Sequence, residues 1–159
     1  MNFEKAFDIL LSHEGGFVNH PKDPGGATRY GVTQRVARKH GYQGDMRELP
    51  LSEAKRIARA AYWDEVKADF MPDSIRFDLF DGAYNSGPVQ ATKWLQRAAA
   101  VDDDGIIGPK TLAAVRATDP QKLAKRYNGF RLMFLTDLGT WPTFSRGWAR
   151  RVAHNLLES

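Results

Sequence analysis

The chain has 159 residues, no cysteine and a formal net charge of +4. That length buries roughly 68–70% of the unfolded surface, enough for a core without staples, and the lack of cysteine excludes disulfides, thiolate zinc sites and thiol nucleophiles. With 42% apolar, 26% charged and 11% aromatic residues, the composition excludes disordered, collagen-like and membrane-spanning classes.

The start, Met1-Asn2-Phe3-Glu4-Lys5, lacks a basic leader, and the next apolar stretch is broken by Asp8. No secretory signal is expected. The longest apolar runs, Ile9–Leu11 and Leu132–Leu135, are far short of a membrane span. The expectation is a chain made in the cytoplasm that reaches an outside target only when a separate, holin-type protein releases it.

A first helix is predicted from about Phe3 to Ser12, with Phe3, Phe7, Leu10 and Leu11 at helical spacing and Asn2 as N-cap. Gly15-Gly16 stops it. Phe17 to Tyr30 reads as extended segments around the turn-rich centre Pro21–Gly26, a hairpin or small irregular sheet. Thr33 caps a short helix to about Lys39. Ser52 caps the next, with Ala54, Ile57, Ala58 and Ala61 on one face. Asp73 or Ser74 starts another that ends at Gly87. Pro88 opens a helix with the stripe Ala91, Trp94, Leu95 and Ala98. Pro109 opens a short one to about Ala117. Asp119-Pro120 opens a long one carrying Leu123, Tyr127, Phe130, Phe134 and Leu138, and Pro142 to Leu157 closes the chain. The pattern predicts a mainly α (α+β) protein with one small β lobe near its N-terminus, whose junction with the helices would form a cleft.

Glu14 follows the first helix directly. A helix C-terminus disfavours an anion, and an apolar neighbour such as Phe17 would disfavour it further by desolvation. A carboxyl kept protonated in this way can donate a proton to a glycosidic oxygen. Asp23 and Thr28 lie on the turn-rich segment and its return strand. A carboxylate and a hydroxyl held across a cleft from Glu14 could position a water for attack on the far face of a sugar, the inverting geometry with carboxyls roughly 6.5–9.5 Å apart. Asp23-Pro24-Gly25-Gly26 is equally a good turn, and Glu14 equally a solvated helix end.

The runs His13-Glu14-Gly15-Gly16-Phe17 and Asp23-Pro24-Gly25-Gly26-Ala27-Thr28-Arg29-Tyr30-Gly31-Val32-Thr33 resemble the N-terminal signature of the glycoside hydrolase 108 family, phage and bacterial N-acetylmuramidases. The resemblance continues through Tyr62-Trp63-Asp64, Asp81–Gly87 and Asp104–Pro109, and into Phe144, Gly147-Trp148 and Arg151. It implies a lysozyme-like single domain over residues 1–159. Residues 1–87 would be a catalytic portion and 88–159 a peptidoglycan-binding-like helical portion. Glu14 matches the proton donor, and Glu14, Asp23 and Thr28 match the Glu–Asp–Thr grouping of phage-type lysozymes, with the Asp–Thr interval one residue shorter. The implied substrate is the β-1,4 bond between N-acetylmuramic acid and N-acetylglucosamine.

The helix from Ser74 to Ser86 is apolar almost all round, as a buried central helix must be. Its polar stripe, Asp78, Asp81 and Asn85, has to reach a cleft or a partner. Asp81 and Asn85 are candidate substrate contacts, with an arginine pair as the alternative for Asp81. Tyr30 and Trp63 are candidates for stacking on sugar rings, with a core place as the alternative for Trp63. Asp102-Asp103-Asp104-Gly105 lacks the alternation of a calcium loop, whose twelfth position here is Ala113, and the histidines lack HExxH spacing. No metal and no cofactor are expected.

Residues 120–159 hold seven Lys/Arg against two Asp/Glu. That basic third suits electrostatic contact with an anionic wall or membrane surface. No nucleic-acid motif accompanies it, and a monomer is expected. Two other readings stand beside the hydrolase: a lytic transglycosylase, and a non-catalytic wall-binding or phage structural module.

Overall fold

The computed structural model describes residues 1–13, 16–19 and 25–158. Its elements, in chain order, are α1 (Phe3–His13), β1 (Thr28–Arg29), β2 (Val32–Thr33), α2 (Gln34–Lys39), α3 (Leu51–Ala58), α4 (Asp73–Ser86), α5 (Pro88–Ala98), α6 (Pro109–Ala117), α7 (Pro120–Asp137) and α8 (Trp141–Glu158). This is the mainly α architecture with a small β element that the hydrophobic spacing predicts. The chain divides into two compact units, Met1–Glu65 and Val66–Ser159. The division falls before α4.

In the first unit, Asn2 caps α1 through a bond from the Lys5 N–H to its Oδ1 at 3.0 Å. Phe3, Ala6, Phe7 and Leu10 face inward, and Phe3 meets Trp63 edge-on at 5.5 Å. Val18 exchanges both backbone hydrogen bonds with Thr28, at 2.8 and 2.7 Å, so the two ends of the turn-rich segment pair as expected. A second, tighter turn was not foreseen. β1 and β2 pair antiparallel, Thr28 with Thr33 and Arg29 with Val32, around the two-residue turn Tyr30-Gly31. Both turn residues have positive φ, 53° and 79°, as a type I′ hairpin requires. For a ring as large as tyrosine this is an uncommon, strained backbone state.

Thr33 caps α2, accepting from the Val36 N–H at 3.3 Å. α3 starts at Leu51, two residues before the start that a Ser52 cap implies, because the Pro50 carbonyl already accepts from the Ala54 N–H at 2.9 Å. Ser52 therefore lies inside the first turn and is not the N-cap. Beyond Ala58 the helix widens into a π turn over Arg59–Trp63, which turns Tyr62 and Trp63 inward.

In the second unit, α4 buries Ile75, Asp78, Leu79, Phe80, Asp81, Gly82, Ala83 and Tyr84, as a central helix does. It packs on α5 and α7, and α7 packs on α8. A methyl group at Gly82 would overlap the Tyr127 hydroxyl, so glycine there lets α7 approach. Trp94, fully buried, stands edge-on to Tyr127 and Phe134 at 6.0 and 5.3 Å. The connection before α6 is tied by Gln96. Its Nε2 donates to Asp104 Oδ1 at 2.8 Å, Ile106 O at 3.0 Å and Thr111 Oγ1 at 3.1 Å, and its Oε1 accepts from the Gly105 N–H at 2.9 Å. Asp104 thus has a packing role in the Asp104–Pro109 connection.

Candidate functional site

Glu14 and Asp23 lie outside the described residues. The chain brings α1 to His13, immediately before Glu14. Thr28 stands half-buried on β1, and its hydroxyl donates to the Gly26 carbonyl at 3.3 Å. Tyr30 sits two residues on, at the strained turn. The Arg29 guanidinium lies 5.1 Å from its ring centre and donates to its hydroxyl at 3.3 Å. One short hairpin therefore carries both residues. Phe17, expected to form an apolar wall, is itself 42% exposed. It lines an open polar groove of about 480 Å³ together with Gln34, Arg38, Asp45 and Arg47. Arg38 is fixed there by donating to the Tyr42 and Gly44 carbonyls at 2.7 and 2.9 Å.

Trp63 is 0% exposed and has no ring face to offer a ligand. Its place is the core alternative, set by the π turn and the Phe3 contact.

In the second unit, Asp81 is 1% exposed and acts as a hub. It accepts from Arg131 Nη1 at 2.7 Å, Arg151 Nε at 2.7 Å, Asn155 Nδ2 at 3.0 Å and Asn85 Nδ2 at 3.2 Å. Burial alone would raise its pKa, but the two guanidiniums outweigh burial and hold it down at about 2. The arginine-pair alternative describes Asp81, whose carboxylate is covered by its partners rather than open to substrate. Asn85 is the exposed end of the stripe. Its Nδ2 donates to the Asp81 carbonyl at 2.7 Å. Asp78 is buried against Asn128, which donates to it at 2.6 Å. Burial pushes its carboxyl up to about 7, against that hydrogen bond and the nearby Arg131.

Sequence reasoning missed Arg131, Arg151 and Asn155. A signal for Arg131 was present. It stands midway between Tyr127 and Leu135 at i, i+4, i+8 on the buried stripe of α7, and a charge on such a stripe needs a buried partner.

The family model described as glycosyl hydrolase 108 matches residues 7–87. A second, described as a predicted peptidoglycan domain, matches residues 90–153. Among solved structures, that of SagA from Brucella abortus is similar with a TM-score of 0.91 and 39% sequence identity, over 98% of this chain and 92% of that one. A comparison with curated protein sequences gives no match. The first model spans the Glu14–Thr28 stretch and all of α4, and the second the helices that hold Asp81 in place. The chain belongs to the glycosyl hydrolase 108 family, with a peptidoglycan-directed portion following its glycosidase portion.

Proposed function

We propose that this glycoside hydrolase is an N-acetylmuramidase that cleaves the β-1,4 bond between N-acetylmuramic acid and N-acetylglucosamine, with Glu14 as general acid. The observation that carries the reading is the match of residues 7–87 to the glycosidase family, a stretch that holds both the Glu14 run and the hairpin bearing Thr28 and Tyr30. In this reading the Glu14 carboxyl gives its proton to the glycosidic oxygen as the anomeric C–O bond breaks. A water held by Asp23 and Thr28 attacks the opposite face of the sugar, and its proton passes to Asp23. The product has inverted configuration. Tyr30, held at a strained turn, and Asn85, exposed at the end of α4, are the substrate contacts we favour. Trp63 and Asp81 support them from within, Trp63 through the core and Asp81 by fixing Asn85, Arg131 and Arg151.

Replacing Glu14 by Gln keeps the shape and removes the proton. Release of reducing ends from purified peptidoglycan should then fall by about 10²–10⁴-fold, the usual contribution of general acid catalysis, with the thermal midpoint unchanged. A Glu14→Gln protein that releases reducing ends at the native rate contradicts the assignment.

A further inference from the structure

We propose that the second unit carries a pocket for an acidic sugar, between α4, α7 and α8, which recognises the lactyl carboxylate of a muramic acid residue that bears no stem peptide. The proposal rests on the peptidoglycan reading above and deepens it, since Asn85, favoured there as a substrate contact, lines this pocket. The pocket has a volume of about 210 Å³ and a mixed polar and apolar lining. Asn85, Arg131 and Arg151 are polar lining, while Phe134, Leu138 and Trp148 are apolar.

Three observations point to the ligand. First, Arg131 is 1% exposed, and its Nη1 is engaged by Asp81, yet its Nε has no hydrogen-bond partner among the described residues. A buried donor left unmade costs about 1–3 kcal/mol, and a guanidinium edge matches a carboxylate in geometry and charge. Second, Trp148 belongs to a half-exposed aromatic row on α8. Its ring lies 6.1 Å from Trp141 and 5.5 Å from Phe144. Such a row offers flat apolar area with polar edges, which suits the C–H face of a pyranose. Third, of the eight described lining residues, six fall within the stretch that matches the predicted peptidoglycan domain.

Size narrows the choice further. Pockets that enclose a drug-sized ligand run from roughly 300 to 1,000 Å³. This one is smaller, so it would take one ring face and one substituent rather than swallow a disaccharide. Of the two sugars in a peptidoglycan strand, only the muramic acid has a lactyl carboxyl, which is a free carboxylate wherever no stem peptide is joined to it. The uncharged N-acetylglucosamine would leave the Arg131 donor unanswered.

The test uses the full chain labelled with ¹⁵N, whose four tryptophans give separate indole signals. It is titrated with N-acetylmuramic acid and, separately, with N-acetylglucosamine. The expected result is a saturable shift of the Trp148 signal by the acidic sugar. Binding of the neutral one should be about tenfold weaker, the scale of one charge-assisted hydrogen bond. The buried Trp63 and Trp94 signals should stay still. Asn85→Ala and Phe134→Leu should each weaken the response of the Trp148 signal, and either serves if the other does not fold. Equal response to both sugars, no Trp148 shift up to tens of millimolar, or a shift that depends on protein concentration alone would overturn the proposal. The readout needs no cleavage. A Trp148 shift in a protein that cuts no glycan would sink only the muramidase reading, and cleavage without a Trp148 shift would sink only the pocket.

Discussion

The two units treat their polar residues in opposite ways. In the first, Thr28 and Tyr30 sit half-buried on a hairpin with a two-residue turn, and the hydroxyl bonds described for them reach Gly26 and Arg29, two positions and one position away. In the second, Asp81 is buried and bonded to partners 50, 70 and 74 positions away. Local bonds on a short hairpin fix little beyond the hairpin itself, and they suit residues that must meet a substrate. Long-range bonds to a buried carboxylate fix the packing of α4, α7 and α8, and they suit a frame. A polar side chain on a predicted helix or turn therefore says little until its burial and the reach of its partners are known.

The sharpest way to break this contrast is to neutralise the hub. Asp81→Asn leaves two guanidiniums around an uncharged amide, and removing one member of a buried ion cluster costs about 3–5 kcal/mol. Denaturant unfolding should show a loss of that size. A loss under about 1 kcal/mol, as for a surface pair, would show that the cluster does not hold the frame.

The acidity of the same helix sharpens the contrast. Asp78 is pushed up to about 7 when folded, so the folded protein holds its proton more firmly than the unfolded chain does. Its contribution is best below about pH 4, is lost progressively as pH rises toward 7, and changes no further above that. Asp81, held down at about 2, works in the other direction: its stabilisation is present above about pH 4 and is lost as pH falls through 2. Asp78→Asn should therefore remove a decline of a few kcal/mol between pH 5 and pH 8, measured by urea unfolding at both values. A decline that persists in the variant would place its source elsewhere.

Packing gives a smaller effect. Gly82→Ala puts a methyl group against the Tyr127 hydroxyl, and overpacking of this kind costs about 1–3 kcal/mol. Most of it should return in the double variant with Tyr127→Phe, because the clash is with that oxygen. If Tyr127→Phe restores nothing, the close approach of α7 to Gly82 is not the cause.

The smallest effect concerns the basic third of the chain. Of its seven Lys/Arg, Arg131 and Arg151 are committed to Asp81, so the outward charge is less than the sequence suggests. Changing Lys122, Lys125 and Arg150, which are exposed, to Gln should weaken pelleting with cell-wall sacculi at low salt and leave it nearly unchanged at high salt. Equal pelleting at low salt would remove any role for this charge.

Much of this frame was legible in the sequence. Pro88, Pro109 and Pro120 each open the helix they were read to open, because proline's missing N–H costs nothing in a first turn. Thr33 caps α2 for an equally local reason. The hairpin turn was missed because Tyr30-Gly31 lacks the Asn-Gly or Asp-Gly signal, and a tyrosine at positive φ runs against local preference. The π turn at Arg59–Trp63 left no mark in the spacing, and Pro50 displaced the expected Ser52 cap. The role of Asp81 could not be read from α4 alone. Three of its four partners stand 50 or more positions away, and the misplaced charge of Arg131 on an apolar stripe was the one signal of which arginine meets it. Of the candidate site, Thr28, Tyr30 and Asn85 keep polar groups at or near the surface, while Trp63 and Asp81 belong to the interior.

Mass analysis of the muropeptides released by the wild type, beside those from Glu14→Gln, tests the central claim most directly. The account predicts wild-type fragments ending in a hydrated N-acetylmuramic acid, one water heavier than a 1,6-anhydro end, and almost no fragments from the variant. Anhydro ends from the wild type, or undiminished release by Glu14→Gln, would contradict it.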